Sequence, residues 1–158
     1  MQKALTRFFL LFDFSVIEYP SDNLTVIVEP SSGILRAMWA RSLLTAGLID
    51  SYLQLLSIAE TQSGCRLWHF DLRLSIWPAA TFMHWLSDIY APLAPRRLGG
   101  KVYLACWVSA QHQAHVEEAL TAAVQHRMAA VGFHLTFFIK EPEARAWLLH
   151  QQAQEADN

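Results

Sequence analysis

From Leu24 onward the sequence alternates short, β-rich apolar runs with longer stretches whose apolar residues recur at helical spacing, and this alternation narrows the fold more than any other feature. The apolar runs are Leu24 to Glu29 (LTVIVE), Ile34 to Trp39 (ILRAMW), Arg66 to Leu72 (RLWHFDL), Lys101 to Val108 (KVYLACWV) and Phe133 to Ile139 (FHLTFFI). Only Pro30-Ser31-Ser32-Gly33 separates the first two, and those residues close an antiparallel hairpin. Helical stretches precede each later run. Thr45 to Thr61 carries a wide apolar stripe that includes Leu48, Tyr52, Leu55, Leu56 and Ala59. Pro78 opens a helix from about Ala79 to Ile89, which Pro92 and Pro95 stop, and Ala114 to Val131 reads as one long helix capped by Gly132. A last helix starts at Pro142 and ends near His150. The order ββαβαβαβα predicts an α/β protein with a mixed, mostly parallel five-stranded sheet, an N-terminal antiparallel hairpin and four helices. Arg66 to Leu72 is apolar on both faces, so it is expected to have a neighbouring strand on each side.

No linker or low-complexity segment interrupts the 158 residues, the size of one domain, with a core over about 24–150. Residues 1–20 read as an N-terminal extension, whose apolar stretch Phe8 to Ile17 is open to two readings, an extra edge strand or a dimer arm, and 151–158 as a frayed polar tail. The start, MQKALTRFFLLFDFSVI, has Lys3 and Arg7 ahead of an apolar stretch, as a secretion signal does. Asp13 interrupts it and no small-residue cleavage site follows, so it is read as part of the mature chain. No run approaches the roughly 18 apolar residues of a membrane helix, and no transmembrane segment is expected. A net charge of −2 gives no broad positive field, which argues against nucleic acid as a partner. Cys65 and Cys106 lie inside or beside apolar runs without ligand spacing, as buried free thiols of a cytoplasmic protein would. Apolar residues make up 53% and charged residues 16%, with six Trp, nine Phe and four Tyr, more aromatic bulk than a core of this size calls for. Both faces of the last two strands are apolar as well. Such surface points to a homodimer.

Among polar residues, Asp71 and Arg73 stand out because they fall where a parallel strand ends and its connecting loop begins, the place where α/β sheets put ligand sites. The simplest role for Asp71 is structural, ordering the loop by pairing with Arg73 or with loop N–H groups; a ligand or partner site is the functional alternative. His69 shares the face of Asp71, as the base of a nucleophilic triad would. A nucleophile is missing: no G-x-S-x-G elbow occurs, Ser75 has no glycine beside it, and neither cysteine sits on a strand-to-helix turn. His112, His115 and Glu118 share one side of a helix, yet their spacing is not that of a zinc helix, and no phosphate-cradling glycine pattern exists. No catalytic residue, metal or cofactor is expected.

The element order, the opening hairpin and the strand end Trp68-His69-Phe70-Asp71-Leu72-Arg73 resemble the STAS-like superfamily, the fold of the sporulation anti-sigma-factor antagonists, and within it the small single-domain bacterial branch with a W-x-x-D-x-R strand end. The resemblance covers roughly Leu24 to Leu149. It implies helices wound largely on one side of the sheet and a protein that acts by binding partners rather than by catalysis. In the signalling members a serine after the aspartate, at the start of the next helix, is phosphorylated. Here Leu72, Arg73 and Leu74 follow Asp71, and the nearby hydroxyl, Ser75, is shifted in register and followed by Ile76-Trp77-Pro78, so no phosphorylation is assigned. The expected function is a non-catalytic interaction or signalling-type module with a protein partner, whose binding candidates are Asp71, Arg73, Ser75 and His69. The alternative is a small apolar-ligand or lipid-binding protein, which needs a pocket of at least ~300 Å³ lined by the aromatic residues.

Overall fold

The computed structural model describes residues 17–20, 23–75 and 80–158. The aromatic stretch Phe8 to Phe14 and the helix start at Pro78 lie outside them. Six strands form one sheet in strict chain order: β1 (Ile17–Pro20), β2 (Leu24–Glu29), β3 (Ile34–Trp39), β4 (Leu67–Asp71), β5 (Val102–Trp107) and β6 (Phe133–Phe138). The pairs β1–β2 and β2–β3 are antiparallel, and every later pair is parallel. Five of these strands form where the apolar runs occur, and β4 has a partner on each side as its composition requires. The sixth corrects the expected count of five: Ile17–Pro20, at the end of the N-terminal extension, forms an added edge strand along β2 with Ile17 opposite Val28 and Pro20 opposite Thr25.

The helices are α1 (Thr45–Thr61), α2 (Ala80–Trp85), α3 (Ala91–Leu98), α4 (Ala110–Ala119), α5 (Ala122–Ala130) and α6 (Glu141–Ala156), with a π-helical turn over Leu86–Tyr90 between α2 and α3. Four helices were expected; the described residues form six, for two local reasons, and the last helix is longer than expected for a third. Pro92 does not stop the second helix, because the wider π turn just before it makes room for a ring that would press on the carbonyl four residues back. The long helix expected over 114–131 breaks at Thr121, which adopts an extended backbone and caps α5 by accepting from the Val124 N–H at 3.4 Å. Finally, the supposed tail is helical to Ala156: Gln152 Nε2 donates to the Ser32 carbonyl at 3.1 Å, and Glu155 lies 3.1 Å from Arg66 Nη2. A polar segment looked like a tail because its partners are far away in sequence.

Strands added in one direction through right-handed crossovers send every connecting helix to the same face. That face carries Leu35, Ala37, Trp39, Trp68, Phe70, Leu104 and Phe133, all buried against residues of α1 through α5. Many of the aromatic residues are packed here. Tyr52 of α1 meets Phe70 edge-on at 5.5 Å and Phe82 at 5.1 Å, Trp68 stacks on Phe70 at 5.9 Å, and the Tyr90 hydroxyl donates to the Tyr52 carbonyl at 2.7 Å. Arg97 on α3 is paired with Glu60 on α1, fixing the two helices across the outside of this layer. The second face is covered by α6, whose Ala144 and Leu148 pack on Ile34, Leu67, Tyr103 and Ala105. Bare sheet is therefore not by itself a reason for a second copy of the chain.

Gly132 joins α5 to β6 with φ +89°, and a Cβ there would meet Pro95 Cβ at 3.4 Å. Gly132→Ala is expected to lower the unfolding free energy by about 1–2 kcal/mol, the cost of a side chain in the left-handed region, read as a lower urea midpoint at unchanged slope.

Candidate functional site

Parallel register lines up two rows of residues on the α6 face near the ends of the strands: Arg36, His69, Ala105 and Thr136, then Met38, Asp71, Trp107 and Phe138. Asp71 ends β4 with its side chain on this face, and the chain then turns through Leu72 to Ser75, closed by the Ser75 N–H donating to the Leu72 carbonyl at 3.1 Å. Inside that turn Arg73 folds back. Its Nε and Nη2 donate to the two Asp71 oxygens at 3.0 and 2.8 Å, and its backbone N–H donates to Oδ1 at 3.2 Å. The guanidinium carbon then lies 3.4 Å from the centre of the Trp107 ring. Trp107 is held in turn by its Nε1, which donates to the Ile139 carbonyl at 3.3 Å.

Electrostatics follow from this geometry. Partial burial pushes the Asp71 carboxyl up, but the hydrogen bonds and charge of Arg73 outweigh it and hold the group below its ordinary value. The same bonds raise Arg73. His69 is 2% exposed, and its Nε2 has no hydrogen-bond partner. Burial, then the neighbouring Arg36 charge, pushes its pKa down, so the ring is neutral. Across β2 and β3 the site continues as an ion network: Arg36 Nη2 to Glu141 at 2.7 Å, Arg145 Nη1 to Glu29 at 2.9 Å, and Arg36 Nη1 to Glu29 at 3.9 Å.

Of the four residues singled out in the sequence, His69, Asp71 and Arg73 come together at one end of the sheet. Ser75 serves the turn by its backbone. Trp107, Arg36 and Glu141 belong to the same cluster, and sequence reading missed them. Trp107 is two residues past the middle of an apolar run and carries no signal until β5 is set beside β4. A further contact pairs Ser109 Oγ with His112 Nδ1 at 3.0 Å at the start of α4. Among the described residues no carboxylate is bonded to that imidazole, and none of their His, Cys, Asp and Glu side chains form a group of three or more able to hold a metal. Cys65 is a poor nucleophile, since burial pushes its thiol up to about 11, and burial raises Cys106 too. A pocket of about 300 Å³ lies at the opposite end of the sheet around Gly33, Gln62, Gly64, Arg66 and Glu155, and another of about 220 Å³ lies between Met83, His84, Val124 and Arg127. Among the described residues no Trp, Tyr or Phe lines either. Among the described residues no helix is long and apolar enough to cross a membrane.

Comparison with family models, curated proteins and solved structures finds no match to this chain. The α/β architecture and the cluster at the ends of β4 and β5 therefore stand on the chain's own geometry.

Asp71→Asn removes the carboxylate from Arg73 and is expected to cost about 1 kcal/mol at pH 7. Because the folded-state pKa of Asp71 lies below its unfolded value, its contribution is complete above the unfolded value near 4 and is lost as pH falls through the folded one. Urea titrations of both proteins should then differ at pH 7 and converge towards pH 2.

Proposed function

We propose that this chain is a non-catalytic, STAS-like interaction module that binds a protein partner through the end of the sheet where β4 and β5 terminate. The observation that carries the reading is Arg73, pinned by Asp71 over the face of Trp107 at the surface. Arginine and tryptophan are the side chains that most often dominate binding energy, and an arginine already fixed on an indole loses little freedom when a partner arrives. Exposed apolar side chains accompany them: Leu74 in the turn after β4 is 72% exposed, Leu44 after β3 is 87% exposed and Ile139 after β6 is 44% exposed. Among the described residues no activated nucleophile stands beside the pair. A cytoplasmic setting fits the two free thiols.

The test is capture of partners from the cells that make the protein, using the full chain and its Arg73→Ala and Leu74→Asp variants. A partner held by the native chain and reduced at least about tenfold by each variant, at a melting temperature within a few degrees, is the expected result. Equal capture by all three would sink the reading. Self-association belongs to the same proposal, motivated by the apolar composition, and sedimentation equilibrium at micromolar concentration should give a species heavier than the 18.0 kDa monomer.

A further inference from the structure

Two histidines lie under α6, and neither has a partner for its Nε2. His69 sits mid-strand in β4. Its cross-strand neighbour Ala105 and its same-face neighbour Leu67 are the residues on which Ala144 and Leu148 of α6 pack. His134 sits in β6, stacked on Tyr103 at 5.0 Å, and Tyr103 in turn meets the edge of Trp147 of α6 at 6.0 Å. The helix thus lies over the strands that carry both imidazoles, His69 buried and His134 partly buried, and neither Nε2 has a hydrogen-bond partner. Its remaining attachments are polar and stand at its two ends: Arg36 to Glu141 and Glu29 to Arg145 at the start, Arg66 to Glu155 and Gln152 to the Ser32 carbonyl at the finish. The apolar contact between them is small, being chiefly Ala144, Trp147 and Leu148.

We propose that α6 is a proton-sensitive strap, released from the sheet when His69 and His134 become charged. A charged imidazole gains a second N–H donor, and burial without a partner is costly for it. His69 faces Arg36 from β3, Asp71 from its own strand, Glu141 from α6 and the Trp107 ring from β5. The two carboxylates are already bonded to Arg73 and Arg36, so a new cation there competes with an existing one. His134 faces Lys101 ahead of β5, Glu155 from α6 and the Tyr103 ring. Glu155 is held by Arg66. Burial holds both histidines below their ordinary pKa while the helix is docked. The proton therefore binds better to the undocked form, and docking weakens as pH falls below about 6.5. Release bares Leu67, Tyr103 and Ala105, a second apolar surface separate from the Arg73–Trp107 pair.

Hydrogen exchange of the full chain, read by mass spectrometry between pH 7.5 and 5.0 and corrected for the intrinsic pH dependence, tests this. The window spans ordinary histidine titration and stays above that of ordinary carboxylates. Peptides covering residues 144–152 are expected to lose protection by at least about tenfold at the acid end, while β4 and β5 keep theirs, and the loss should flatten in a His69→Asn/His134→Asn variant. Unchanged protection of α6 at pH 5.0 overturns the proposal. So does a loss shared equally by α6 and β5, which would be global unfolding, or an undiminished loss in the double variant. The native pH series decides between the first two outcomes even where the variant fails to fold.

Discussion

A right-handed twist that lets a crossover pack back on its sheet in only one sense is the constraint from which this molecule follows. Because β3 to β6 are laid side by side in chain order, each connection turns the same way and lands on the same face. That face becomes the aromatic core. The other face can be covered only by a segment that does not connect two of these strands, and among the described residues α6 does so. The division explains why the two sides differ in kind: one is thick with Trp39, Trp68, Phe70 and Tyr90, whereas the other mixes a smaller apolar cluster with His69, Arg36 and Glu29.

The polar character of the second face is also what gives the molecule its candidate site. A residue such as Asp71 or His69 in the middle of the aromatic layer would have no ion partner, and burial alone would penalise it. On the α6 face the same residues stand beside Arg36, Arg73 and Glu141, near the end of the sheet where the connections open to water. Strand alternation decides which of the two fates a residue meets. Phe70 and Asp71 are chain neighbours, and one is in the core while the other orders a surface turn.

Much of this was legible in the sequence because it depends on local chemistry. LTVIVE and ILRAMW announce a hairpin through the Pro30 to Gly33 turn, and the stripe from Leu48 to Ala59 has helical period along its whole length. What failed to show was set by neighbours distant in the chain. The π turn before Pro92 depends on the packing of Leu86 and Tyr90 into the core, and the helical state of Gln152 and Glu155 depends on Ser32 and Arg66. Thr121 is the exception, since a capping residue directly ahead of Ala122 is a local signal for a helix start. For the site, the Asp71–Arg73 pair was readable from a spacing of two, but the partnership with Trp107 rests on the register of β4 against β5, which no periodicity encodes.

The strict neighbour order of the strands has a consequence for how the chain folds. Each strand pairs with the one just before it, so each pairing closes only the intervening connection, and the sheet can grow strand upon strand from the β2–β3 hairpin at modest entropic cost. The docking of α6 is the opposite kind of event. Its tethers join residues 105 and 120 positions apart, Arg36 to Glu141 and Ser32 to Gln152. Each of those contacts spans most of the chain, so the loop-closure entropy that α6 has to overcome is least once the strands presenting Ser32 and Arg36 are in place.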